Sequence, residues 1–176
     1  MLTFKCTKKV QDYLSLSKAD LTHTQQQSSS LLGAWYVNQL VIDRRKVFLF
    51  MNEKTLLSFI ALGAKKSRAL KQDFPAIFLL QFFHLMKLLE LPIEKSNQLI
   101  DDYFKSEFRK TDSRTVLGNL SELAKLYEHA IYFHGGFNHC DISEIIYNIN
   151  KTPQRNLGWA YSSDIAKEIL NVGSLE

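Results

Sequence analysis

His129, His134, His139 and Cys140 fall within a twelve-residue stretch, and Asp141 follows them. These are the side chains that bind transition metals, and zinc needs three or four of them converging at about 2.0–2.3 Å. His129 and His134 are five residues apart, which turns them away from a common helical face, and Asp141 is placed to cap a helix instead. The spacing predicts surface and turn histidines, with no metal and no cofactor. Cys140 beside His139 or His134 would be a thiol–imidazole pair only if the two faced each other, which sequence neighbours rarely do. The plainer reading of Cys140 is a small packed hydrophobe. No GxSxG, GxxxxGK[ST] or GxGxxG pattern is present, so no catalytic residue is assigned by motif.

The basic residues of the front half offer a different chemistry. Lys8 and Lys9 fall in the first turn of a predicted helix, and Arg44, Arg45 and Lys46 cluster at a predicted hairpin tip beside Trp35, Tyr36, Phe48 and Phe50. A sheet presenting aromatics next to Arg and Lys stacks bases and neutralises phosphates. The competing reading is that alternate hairpin aromatics face the core and the tip is only solvated. A second basic run, Lys65, Lys66, Arg68 and Lys71, reads as a wet connector. A small metal-independent ribonuclease of toxin type is the enzymatic alternative, with Lys8, Tyr36, Arg44 and Glu53 as acid, base and charge stabiliser. A protein-interaction component without nucleic acid is the third reading.

Charge supports a polyanionic partner. Of the 176 residues, 22 are Lys or Arg and 18 are Asp or Glu, a net +4. Residues 1–71 hold 12 of the cations and 4 of the acids, a balance of +8, against −4 for the remainder. Such an asymmetry is a legitimate clue to nucleic acid or to a complex that carries it.

The elements that position these residues follow from periodicity. Leu2, Phe4 and Cys6 alternate as one face of a first strand, and Thr7 is placed to cap a short helix bearing Val10, Tyr13 and Leu14. Thr22 to Ser30 is polar and reads as a loop. Ala34 to Ile42 and Val47 to Met51 are rich in aromatic and β-branched residues and read as a hairpin around Asp43 to Lys46. Asn52 then offers a cap to a helix through Leu56, Leu57 and Ile60, ending near Gly63.

From Phe74 onward the signals are helical. Pro75 suits a first turn, and Ile77 to Leu91 is apolar on most sides, which predicts a central helix with Gln81, His84 and Lys87 as its polar stripe. Pro92 opens a helix through Leu99, Ile100, Tyr103, Phe104 and Phe108. Asn119 with Glu122, and Asp141 with Glu144, are capping-box patterns, and Gly135-Gly136 is a helix stop. Pro153 stops the helix that Asp141 opens. Ser162 or Ser163 opens a last one, closed by Gly173. The expected fold is α+β: a small antiparallel N-terminal sheet packed with a C-terminal helical half. Residues 1–72 form the β-α-β-β-α region and 73–176 the helical region of one two-lobed unit.

Two cysteines in a chain this long point to a reducing compartment, and no apolar run follows the basic start, so a cytoplasmic protein without a membrane partner is expected. The ordered motifs resemble a bacterial family catalogued as a domain of unknown function. They are Thr7-x-Lys9, Leu32-Gly33-x-Trp35-Tyr36-x-Asn38, Asn52-Glu53-x-Thr55-Leu56-Leu57, Ser113-Arg114-x-Val116-Leu117-Gly118-x-Leu120, and Asn150-x-Thr152-Pro153 followed by Leu157-Gly158. Ala34 stands where that pattern carries an acidic residue. The resemblance implies a bacterial or mobile-element origin and assigns no activity. Asn150 to Tyr161 also resembles the tail of integrase-type transposases, without their acidic trio.

Overall fold

A computed structural model describes residues 1–23, 28, 30–63, 65–67, 69–92 and 105–172. Five strands build the main sheet: β1 (Thr3–Cys6), β2 (Trp35–Ile42), β3 (Arg45–Asn52), β4 (Ser58–Leu62) and β5 (Glu107–Lys110). Their order is β4-β3-β2-β1-β5. The fold is α+β as expected, but the sheet is mixed, not antiparallel. β1 runs parallel to both its neighbours, with Phe4 opposite Trp35 on β2 and opposite Phe108 on β5. The reason is connectivity: parallel neighbours need long crossovers, here residues 7–34, which include α1 (Lys8–Tyr13), on one side and most of the chain on the other.

One face of the sheet is aromatic. Phe4, Trp35, Phe50 and Phe59 point to α2 (Leu70–Leu88), whose Phe74, Phe78 and Phe82 recur every four residues along one stripe. Phe78 lies 5.2 Å from Phe4, 5.0 Å from Trp35, 5.3 Å from Phe50 and 5.5 Å from Phe59, ring centre to ring centre. The expectation that α2 is the axis of the helical half is therefore corrected. It is the cover of the sheet, and its outer side carries Leu80, 70% exposed. It also starts at Leu70, so Pro75 lies inside it rather than in its first turn.

The opposite face receives α3 (Arg114–Phe133), whose buried Tyr127 donates to the Ser58 carbonyl at 3.0 Å. Next, α4 (Ile142–Asn150) contacts both β4 and α2, and Asn150 clamps Ser58 by accepting from its N–H at 2.9 Å and donating to its carbonyl at 2.7 Å. A two-stranded ribbon, β6 (Pro153–Gln154) with β7 (Ala160–Tyr161), and α5 (Ser162–Val172) complete the described chain.

Three helix expectations are revised. Leu56 to Gly63 is not a helix: Asn52 organises a tight turn and Ser58–Leu62 pairs with β3 as β4. Burial of Phe59, stacked on Phe50 at 5.0 Å, outweighs a spacing that fits either period. Phe108 belongs to β5 rather than to a helix after Pro92, while Leu99, Ile100, Tyr103 and Phe104 lie outside the described residues. So do Thr24–Gln27, Ser29, Arg68 and Gly173. Asn119 lies within α3, because Ser113 already caps that helix six residues earlier, its hydroxyl accepting from Val116 N–H at 3.3 Å. Asp141 does cap α4, accepting from Ser143 and Glu144 N–H. Gly135 and Gly136 end α3 at φ of 88° and 91°.

Candidate functional site

Strand alternation sends adjacent residues to opposite faces, and this separates the two aromatics of the Trp35-Tyr36 pair. Trp35 is 1% exposed and sits among Phe59, Phe78 and Phe82. It presents no face to a base, and neither do buried Phe48 and Phe50. Tyr36 points the other way, beside Lys5 of β1.

That second face carries a polar row. The Lys5 ammonium lies 2.8 Å from Glu53 Oε2, 2.9 Å from Asp112 Oδ2 and 5.3 Å from the centre of the Tyr36 ring. The Tyr36 hydroxyl donates to Asp112 Oδ1. Glu53 also accepts from Ala34 N–H at 3.1 Å, and farther along the row Thr3 donates to Glu107, which pairs with Arg109. Burial alone would discharge Lys5, but its two carboxylate partners outweigh that and raise its pKa. Burial likewise pushes against the Asp112 carboxylate, and the Tyr36 and Lys5 hydrogen bonds reverse the sign and lower it. Tyr36 is pushed up to about 12 by burial and by the carboxylate accepting its proton. Sequence reasoning found Tyr36 and Glu53 but missed Lys5 and Asp112. The signal was present, because placing Phe4 and Cys6 on one face of β1 puts Lys5 on the other.

Of the other predicted residues, Asn38 accepts from the Thr7 hydroxyl at 3.0 Å, so Thr7 holds the start of α1 to β2 instead of capping it with its side chain. Lys8 is exposed and paired with Asp12 one turn on. Arg44 lies in the turn beyond the end of β2 at Ile42, which is six residues past Tyr36, or roughly 20 Å at the rise of a strand. The four residues offered for ribonuclease chemistry are therefore not gathered in one place.

The hairpin tip is a two-residue turn with Asp43 and Arg44 at φ of 47° and 61°, the geometry of a type I′ turn. It is docked rather than free. Asp43 N–H donates to the Tyr132 hydroxyl at 2.9 Å, Asp43 Oδ2 accepts from Phe137 N–H at 3.1 Å, and Arg45 donates to Asn138 Oδ1 at 2.7 Å. The Phe137 to Cys140 loop thus serves as a seat for the hairpin. Among the described residues no three His, Cys, Asp or Glu side chains converge as metal ligands. Instead, His129 stacks near Phe133 and His134 bonds the Ala130 carbonyl. Cys6 and Cys140 are both free thiols.

Lys46 leads to a second cluster. Its ammonium sits 4.7 Å from the centre of the Tyr13 ring, and its carbonyl accepts from Gly63 N–H at 2.8 Å, which brings residues 65–67 against the end of α1. There Lys66 donates to the Asp12 carbonyl at 3.1 Å, where the helix end favours a cation. Leu14, Ser15, Lys66, Ser67 and Lys71 line a hollow of about 430 Å³. Lys71 also pairs with Asp20 at 2.7 Å, and the hydrogen bonds of Lys71 and Ser17 pull Asp20 down to about 2. Lys9, Arg44, Lys46, Lys65 and Lys66 are exposed and form no ion pair among the described residues. Residues 65–67, expected as part of a wet connector, are instead folded back onto the end of α1, a contact between segments too far apart for any local pattern to signal.

The fold and its polar rows define an α+β protein with an N-terminal mixed sheet and a helix-rich C-terminal region. The chain belongs to the bacterial family described as Domain of unknown function (DUF6933), whose profile covers residues 3–165. Among curated proteins none matches it. No described helix is long and apolar enough to cross a membrane.

Proposed function

We propose that this protein is a nucleic-acid-associated binding module acting through its basic N-terminal surface, centred on the end of α1. The observation that supports this reading is the hollow between Ser15, Lys66, Ser67 and Lys71. Two ammonium groups and two hydroxyls around one concavity suit a backbone phosphate. Lys46, over the Tyr13 ring, and exposed Lys65, next in sequence to Lys66, add to its positive charge. A phosphate entering the hollow replaces the Asp12 carbonyl on Lys66 and competes with Asp20 for Lys71.

The test is fluorescence anisotropy with a labelled duplex and a labelled single-stranded RNA over a salt series. Engagement of Lys46, Lys65, Lys66 and Lys71 gives a slope of log affinity on log salt of about −3.6 for the duplex, or roughly −2.8 for a single strand. Lys66→Glu and Lys46→Glu each flatten it by about 1. Binding without salt dependence, or variants that bind as the parent does, would reject the reading.

A second reading, the metal-independent ribonuclease, is favoured by one observation only: Lys5 flanked by two carboxylates and a phenol on one sheet face. Purified protein that cleaves RNA in the presence of chelator, and loses that activity in Tyr36→Phe, would establish it.

A further inference from the structure

β1 pairs with β2 only at Trp35, Tyr36 and Val37, because the chain leaves β1 at Cys6 and turns into α1. β2 nevertheless runs on to Ile42, paired with β3 along its whole length. The two-residue turn after Ile42 makes Ile42, Leu40 and Asn38 the hydrogen-bonded partners of β3, so the amides of Val37, Gln39 and Val41 face the side β1 has left. Val37 C=O accepts from Thr7 N–H at 3.0 Å, and Gln39 N–H is taken by the Asn38 side chain at 3.0 Å. Beyond these, Gln39 C=O and the N–H and C=O of Val41 meet no partner among the described residues. The outer edge of β5, by contrast, is occupied at Phe108 by Leu21 and Thr22.

A groove of about 400 Å³ follows this open edge, with Lys9 of α1 on one wall, Glu128 of α3 on the other and Gln39 to Ile42 as its floor. The Gln39 side-chain nitrogen is buried there without an acceptor, and Val41 is 62% exposed. We propose that an extended segment of a partner protein adds here as a strand beside β2, in line with β1, by strand augmentation. Charge selects its side chains. Toward α1 it meets Lys9, which forms no ion pair among the described residues, so that side of the segment is acidic. Toward α3 it meets half-buried Leu40, and Glu128 repels a second row of carboxylates, so the alternate side chains are aliphatic. This interaction goes beyond the nucleic-acid reading and does not depend on it.

The probes are the capped peptides (Glu-Val)3 and (Lys-Val)3 and a uridine hexanucleotide, with amide hydrogen exchange as the readout. (Glu-Val)3 should slow exchange at Val41 N–H by about tenfold or more at saturation. Val41→Pro removes that one outward donor while leaving the β2–β3 ladder intact, and should abolish binding. Lys9→Glu, on an exposed helix turn, should weaken (Glu-Val)3 about tenfold, and it carries the test if the proline variant does not fold. The proposal is overturned if (Glu-Val)3 gives no protection, if its binding survives Lys9→Glu unchanged, or if (Lys-Val)3 or the oligonucleotide protects Val41 instead.

Discussion

The Asp43 carboxylate occupies the space that a side chain at position 136 would need. A Cβ built on Gly136 falls 2.6 Å from Asp43 Oδ2, and the same oxygen accepts from Phe137 N–H. The hairpin turn and the end of α3 are thus fitted to each other through one glycine and one short acid.

Gly136→Ala should cost about 2 kcal/mol, roughly 1 from the left-handed backbone and about 1 from the displaced hydrogen bond. The contact part should vanish in an Asp43→Ala background. Urea unfolding of the two single variants and the double variant measures the coupling, and strictly additive losses would disprove the contact.

Asn52 is fully buried, donating to the Leu32 and Ala34 carbonyls and accepting from Lys54 N–H, Thr55 N–H and the Thr55 hydroxyl. Asn52→Ala strands several of these groups in the interior, so a loss of about 3 kcal/mol is expected from chemical denaturation. Asn52→Asp keeps the acceptor but buries a charge in place of two donors, and should be no better.

Trp35 is enclosed by rings whereas Trp159 is 67% exposed. Acrylamide should therefore quench two emission populations in the native protein. Trp159→Phe should leave only a blue-shifted, weakly quenched signal, and adding nucleic acid should not change it. A red-shifted residual emission would place Trp35 at the surface.

Asp20, held down to about 2 by Lys71 and Ser17, contributes stability that is present above its unfolded value of about 3.9 and is lost as pH falls through 2. A carbon-13 titration of the Asp20 carboxyl should show that midpoint, and Lys71→Met should return it toward 3.9. Asp20→Asn also removes the carboxylate that competes for the Lys71 ammonium, so duplex binding should tighten while its salt slope stays near −3.6, about 0.9 for each of the same four lysines.

How far the sequence spoke depends on whether a feature is local. Asp141 and Gly135-Gly136 act on their own turns, and each was recognisable from residue type. The β2–β3 hairpin was legible for the same reason, since its strands and turn are contiguous. β4 was not, because Leu56, Leu57 and Ile60 fit two periods and only pairing with β3 decides between them. Nor could any local pattern place Asp112 on Lys5, or fold Lys66 onto the end of α1, since those contacts join segments far apart in the chain. The parallel setting of β1 was hidden likewise, its second neighbour being β5.

That setting bears on how the molecule is made. Thr3 and Glu107 are hydrogen-bonded neighbours separated by 104 positions. At ordinary elongation rates of about 5–20 residues per second, the first strand leaves the ribosome roughly 5–20 seconds before the partner that flanks it. During that interval one side of β1 is an unpaired edge on a nascent polypeptide, the situation in which chaperones bind and neighbouring copies aggregate.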